Sequence, residues 1–278
     1  FVLVASLLFF VGLAEDFGFH MSPRRRMLAA ISSSLLTIWL FGVWLPRTGI
    51  PVLDPLMEHS AVGIPLTILV TAGISNGFNL IDGVNGLASL TAIVAALALS
   101  QIAETSGYST MVHLPMFVAA GVFGFFLLNY PFGLIFLGDA GAYAIGFVLS
   151  WFGIAVLVNA PDVSPWAILL TFFWPAADTS LAVYRRLRRN TDVSAPDRLH
   201  VHQIIMRGLE ICVLGQNRRQ IANPLTTLVL APFVIAPQIA GVLLWNQNWN
   251  AFLAVLAFGL LLFVGYAAAP SLIRRFRR

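Results

Sequence analysis

Nine mostly apolar runs follow one another between Phe1 and Ala268, separated by short polar connections. A helix of about 20 apolar residues is the length that crosses a bilayer. Backbone placed in hydrocarbon must also satisfy its own hydrogen bonds, which strongly favours helices. The runs cover 1–14, 27–45, 61–75, 87–103, 116–130, 142–160, 165–184, 225–245 and 251–268, and none alternates with the period of a strand. The expected fold is therefore all-α: a polytopic transmembrane helix bundle of about nine spans, forming one integral membrane domain over 1–278. Only 10% of the residues are charged, against about 25% in soluble domains, which agrees with that reading.

The sixteen basic residues are all arginines. With nine crossings, fifteen of them fall on the side that receives 15–26, 76–86, 131–141, 185–224 and the C-terminal tail, and only Arg47 falls opposite. Such an excess marks the cytoplasmic side. The longest polar stretch, 185–224, is expected to be a cytoplasmic loop. The chain opens at Phe1 inside an apolar run, without a signal-peptide pattern, and reads as a piece lacking an upstream segment. The single cysteine, Cys212, excludes an internal disulfide and a C-x-x-C metal site.

Against this background "NGFNLIDGVNGLAS", 76–89, sets Asn76, Asn79, Asp82 and Asn85 at three-residue intervals among three glycines. Glycine costs about 1 kcal/mol inside a helix. The stretch therefore predicts a broken segment, one helix ending near Ser75–Phe78 and the next starting near Asp82–Asn85, whose free N–H groups would suit a phosphate. In "PFGLIFLGDAGAYAIGF", 131–147, Asp139 stands between small residues just before an apolar run. It is either an N-cap or, with one of Asn79, Asp82 or Asp16, a ligand for a hard cation such as Mg²⁺. Glu15 and Asp16 end the first run, and a neighbouring anion could make one of them a proton acceptor. The loop "APDRLHVHQIIMRGL", 195–209, sets His200 and His202 beside Asp197, Arg198 and Arg207. Imidazoles beside arginines suit phosphate better than zinc here. All these groups sort to the arginine-rich side.

Together with "PAADTSLAVYRRLRR", 175–189, these four ordered motifs resemble the polyprenyl-phosphate N-acetylhexosamine-1-phosphate transferases over roughly residues 10–210. That family includes bacterial glycan-initiating enzymes, phospho-MurNAc-pentapeptide translocase and the dolichyl-phosphate enzyme. The resemblance implies transfer of a sugar-1-phosphate from a UDP-N-acetylhexosamine to a membrane polyprenyl phosphate, with release of UMP. By the same resemblance, Asp139 and Asn79 bind Mg²⁺ or Mn²⁺. Asp16, with Glu15 beside it, serves the lipid phosphate as base or orienter, and Asp82 helps hold nucleotide or metal. Asn76, Asn85, Asp178, Arg198, His200 and His202 form the substrate-binding set. Glu15 stands where the family commonly has Asp, and Asn85 where many bacterial members have Asp. The H-V-H-Q form at 200–203 is similar to the O-antigen and common-antigen initiators rather than to the peptidoglycan translocase, which remains the alternative within the family. Membrane lipids are expected partners, nucleic acid is not, and a homodimer is compatible with the reading. A transporter with a cytoplasm-facing anion site, or a non-catalytic scaffold whose acids cap helices, are the readings from other classes.

Overall fold

The computed structural model describes residues 1–19, 22–188, 199–215 and 218–276, and among these there is no strand. The helices are α1 (Val2–Asp16), α2 (Pro23–Phe41), a single turn α3 (Asp54–Met57), α4 (Ser60–Ile81), α5 (Leu87–Thr105) and α6 (Thr110–Asn129). They continue with α7 (Gly138–Asn159), α8 (Pro165–Thr171), α9 (Phe173–Arg188), α10 (Val201–Leu209), α11 (Arg219–Leu243) and α12 (Asn248–Phe276).

Each of the nine apolar runs lies largely in helix, but the span count is lower than expected. Six helices among the described residues, α4, α5, α6, α7, α11 and α12, are long and apolar enough to cross a membrane. The number becomes seven if α8 and α9 count as one span bent by 85°. Three causes account for the difference. First, α1 has 15 residues. Second, α2 has 19 residues but opens on Arg24, Arg25 and Arg26 and carries three consecutive serines. Third, Pro175 offers no N–H to the Thr171 carbonyl and its ring crowds it, so the run 165–184 breaks at Phe172.

α2 nevertheless traverses the height of the bundle. Arg26 in its first turn meets Asp139 at the start of α7, and Arg47, beyond the end of α2, meets the carbonyls of Leu157 in the last turn of α7 and of Ala160 and Val163 just past it. Local signals explain its limits: Ser22 caps the first turn, Pro23 occupies the first position, and Gly42 closes it at φ 65°.

The centre is formed by α5 and α7, each two-thirds buried over its most apolar window, whereas α12 is almost wholly peripheral. A ladder of buried hydroxyls joins α2 to α4, with Ser34 and Thr71 sharing a hydrogen bond of 2.7 Å. α1 lies along α7, where Gly12 meets the Ala140 backbone so closely that a Cβ would come within 2.5 Å. The stretch 185–224 is shorter as a loop than expected. Its first residues extend α9, its last belong to α11, and Val201–Leu209 forms α10, which runs into a π-helical turn at Glu210–Leu214.

Two sets of connections result. The turns at 82–86 and 130–137 and the start of α11 meet at the Gly138 end of α7. The segments around Arg47, Ser164 and Asn248 meet at the other. Apart from Arg47, the described arginines belong to segments at the Gly138 end. The chain is a multi-pass membrane protein.

Candidate active site

At its N-terminus α7 leaves backbone N–H groups without helical partners, and carboxylates from two other segments take them. Asp16 accepts from the Asp139 N–H at 3.0 Å and from the Ala140 N–H at 3.1 Å. Asp82 accepts from the Gly138 N–H. The alternative that Asp139 is its own helix's cap is thereby excluded: Asp16 performs the capping from α1, and Gly138, at φ 69°, leaves room for it.

Asp139, released from that duty, turns inward from the first turn of α7. The Asn79 amide donates to one of its oxygens, and Arg26 reaches the other at 3.3 Å. The same Arg26 nitrogen lies 3.2 Å from Glu15, whose second carboxylate oxygen is buried without a partner among the described residues. Tyr143, one turn beyond Asp139, donates its hydroxyl to the Asn79 oxygen at 3.2 Å. Six polar side chains from α1, α2, α4 and α7, together with Asp82 from the α4–α5 turn, thus form one cluster. It carries four acids and one arginine. Burial, followed by the Asp139 and Asp16 charges, pushes the Asp82 carboxyl up to about 7.

The segment holding Asn76 and Asn79 differs from expectation. α4 continues unbroken to Ile81, and α5 begins only at Leu87. Gly77 does not break the helix because it is the point of contact with α9, where a Cβ would meet the Pro175 carbonyl at 2.8 Å. Close packing offsets the intrinsic cost. The first turn of α5 is buried, so it offers no open N-terminus to a phosphate. Asn76, half-buried, lies one turn before Asn79. Asn85 directs its amide to the Pro131 carbonyl at 3.0 Å, which ties the α4–α5 turn to the loop before α7.

The histidine segment reaches the same region but is more deeply buried than its sequence suggested. Asp178 is 1% exposed. It accepts from His200 Nδ1 at 2.6 Å and from the Val201 N–H at 3.2 Å. Both of its oxygens are thus taken within the protein, where they orient His200. His202 is also 1% exposed, stacks on His200 at 5.8 Å, and presses on Gly83, whose Cβ position lies 2.3 Å from the ring. Neither of its ring nitrogens has a hydrogen-bond partner among the described residues. Burial, with a smaller contribution from His200, lowers its pKa to about 4 against the pull of Asp178, so it is neutral. Through His202 the pair meets Gly83 in the turn after α4, and both rings are buried. Arg198 lies outside the described residues.

Arg26 and Tyr143 were not singled out by motif. Tyr143 was accessible to reasoning, since it stands at i+4 from Asp139 on one helix face. Arg26 was hidden among three arginines that sidedness alone explains. Among the described residues no three of His, Cys, Asp or Glu enclose a metal position, and the ligand-type groups of the cluster are oxygen donors.

A model of the family described as glycosyl transferase family 4 matches residues 1–157, more than half of the chain. The chain belongs to glycosyl transferase family 4. It is 27% identical over 203 residues to a Bacillus subtilis protein named probable undecaprenyl-phosphate N-acetylglucosaminyl 1-phosphate transferase, covering 73% of this chain and 56% of that one. It is 29% identical over 286 residues to the Yersinia pestis undecaprenyl-phosphate alpha-N-acetylglucosaminyl 1-phosphate transferase, covering 99% of this chain and 75% of that protein. The Escherichia coli K12 protein of the same name is 28% identical over 212 residues, covering 73% and 56%. The chain thus spans little more than half the length of two of these three relatives. The matched family region contains Glu15, Asp16, Arg26, Asn79, Asp82, Asp139 and Tyr143, the whole of the carboxylate cluster.

Proposed function

We propose that this family 4 protein transfers an N-acetylhexosamine-1-phosphate from a UDP-sugar to undecaprenyl or another polyprenyl phosphate, releasing UMP, as the first step of a cell-envelope glycan. One observation carries the reading. The carboxylate cluster sits at the arginine-rich end of the bundle, where a lipid-borne phosphate and a soluble nucleotide can meet. The positive-inside rule puts that end at the cytoplasmic face, in bacteria that of the inner membrane. The names of the relatives support the same reaction and make UDP-N-acetylglucosamine the first donor to test.

In this reaction an oxygen of the lipid phosphate attacks the sugar-bearing phosphorus of the UDP-sugar. The bond to the inner phosphate breaks, leaving a lipid diphosphate sugar and UMP. The cluster fits a divalent cation, Mg²⁺ or Mn²⁺. Four acids share one arginine, an oxygen of Glu15 is buried without a partner among the described residues, and burial with the Asp139 and Asp16 charges pushes the Asp82 carboxyl up to about 7. Asp139 and Asn79 would hold the ion, whose other positions suit water and phosphate oxygens. When bound, it supplies charge for the crowded phosphoryl oxygens. The chain's own groups do the rest. Arg26 brings a cation to Glu15 and Asp139. Asp16 keeps the α7 terminus in place beside the lipid phosphate. Asp82, poised near 7, can take up or give a proton at working pH.

The test uses membranes containing the protein, polyprenyl phosphate and a panel of UDP-N-acetylhexosamines, with and without EDTA. UMP release that needs both the lipid phosphate and a divalent ion is expected. Uptake of a solute without UMP from any donor would replace the enzyme by a transporter.

A further inference from the structure

The turn that carries Asp82 is held in place by uncharged groups outside the carboxylate cluster. The Asn85 N–H donates to Asn223 Oδ1 at 2.7 Å, and the Thr227 hydroxyl donates to the Asn85 carbonyl at 2.7 Å. Both backbone groups of one turn residue are therefore taken by α11. Asn223 and Thr227 stand at i and i+4, on one face of that helix. α6 acts from the other side: the Gly86 N–H donates to Asn129 Oδ1 at 2.6 Å, and Asn129 Nδ2 donates to the Ile135 carbonyl at 2.7 Å. Thr227 is 2% and Asn129 4% exposed. A buried N–H or carbonyl that loses its partner costs about 1–3 kcal/mol, so these bonds leave the turn little freedom. Gly86, at φ 85°, completes a conformation that other residues rarely adopt.

We propose that Asn223 and Thr227 are positioning residues for the transferase. By clamping Asn85 they fix the Asp82–Gly86 turn, so that Asp82 meets Gly138 at the head of α7 and Gly83 receives His202. The reach of α11 into the site explains why a residue more than eighty positions beyond Asp139 matters to it. This role rests on the transferase reading, because only there does the placement of Asp82 become a rate. Displacement of about 1 Å in such a site can cost about 10²-fold.

The clamp is tested with Thr227→Val, close in shape but lacking the hydroxyl, and Thr227→Ser, which retains it. Asn223→Leu and Asn223→Asp form the parallel pair, since Asp keeps an acceptor oxygen. In membranes containing the protein, the Val and Leu variants should lower kcat about 10- to 100-fold, with a smaller change in KM for the UDP-sugar. Ser should restore kcat to within about 2-fold and Asp in part. Hydrogen exchange gives a readout free of catalysis: the Asn85 and Gly86 amides should exchange faster in the Val and Leu variants, while those of α5 and α7 keep their protection. Wild-type kcat and wild-type exchange in Thr227→Val would overturn the clamp, as would a Ser variant no better than Val. If Asn223→Leu does not fold, the Thr227 pair decides. An inactive wild type would sink the transferase reading, and the exchange arm would still judge the clamp.

Discussion

At one end of α7, Arg47 sets its guanidinium on the carbonyls of Leu157, Ala160 and Val163 at 2.8, 3.0 and 2.6 Å. At the other, Asp16 takes the N–H groups of Asp139 and Ala140. Both ends answer the helix dipole with a charge of the favourable sign, borrowed from another segment. Beyond that point they diverge. The Arg47 end is complete: Asp54 accepts from the Thr48 and Gly49 N–H groups, and Asn248 donates to the Gly49 carbonyl. The Asp16 end goes on to add Glu15, Asp82 and Asp139 with Arg26 as the nearby cation. Capping occupies two of these carboxylates, Asp16 and Asp82, and leaves Glu15 and Asp139 beyond that need. Under the proposed function, the charge beyond what the fold requires would receive a cation, and the contrast would then separate a structural terminus from a functional one within a single helix.

The sharpest way to break that contrast is Asp139→Asn, which keeps shape and removes the charge. UMP release should fall on the order of 10³-fold, the scale of losing one preorganised electrostatic group, while the protein keeps its thermal stability. Activity within a few-fold of wild type would make the carboxylate surplus incidental. Next in size is Gly12→Ala. Its methyl group would push α1 away from the Ala140 backbone and draw Asp16 off the α7 terminus. A loss of about 10- to 100-fold is expected, although residue 12 touches no substrate. An unchanged kcat would show that the cap tolerates a shifted α1.

Arg47→Met probes the completed end. Three carbonyls lose a charged donor, so stability should drop by about 2–3 kcal/mol, seen as a melting temperature lower by several degrees. The kcat per folded molecule should not move. A fall in kcat without a fall in stability would reverse the assignment of the two ends.

How much of this difference could be read in the amino-acid chain depends on which interactions are local. The apolar runs announced helices because a membrane leaves the backbone few alternatives, and Asp139 and Asn79 stood out as polar groups in oil. Distant partners explain the failures. Gly77 reads as a helix breaker until Pro175 is seen against it, and the depth at which Asp178 and His202 are buried has no local signal in the sequence. Arg26 is one of three adjacent arginines, and only the fold selects it. α2 looks like a span in outline but opens on those arginines, which accounts for part of the lower span count.

The smallest effect expected is a difference in pH response between the ends, and its sign follows from Asp82. Its carboxyl titrates at about 7 in the folded protein against a reference of 3.8, so the folded form binds the proton more tightly. The associated stabilisation is complete below about 3.8 and is lost as pH rises through about 7. Asp82→Asn carries an uncharged amide at every pH and should escape that loss. In EDTA its melting temperature should gain on that of wild type between pH 5 and pH 8, by a few degrees at most. His202 works in the opposite sense. With its pKa lowered from 6.5 to about 4, its contribution is present above 6.5 and lost as pH falls through 4, but it is common to both proteins and cancels in the difference. Adding Mg²⁺ at pH 8 should close the gap, because a cation stabilises the ionised carboxylate. Parallel pH profiles for the two proteins, with no response to Mg²⁺, would mean that Asp82 is already neutralised within the fold and that the cluster has no charge to spare.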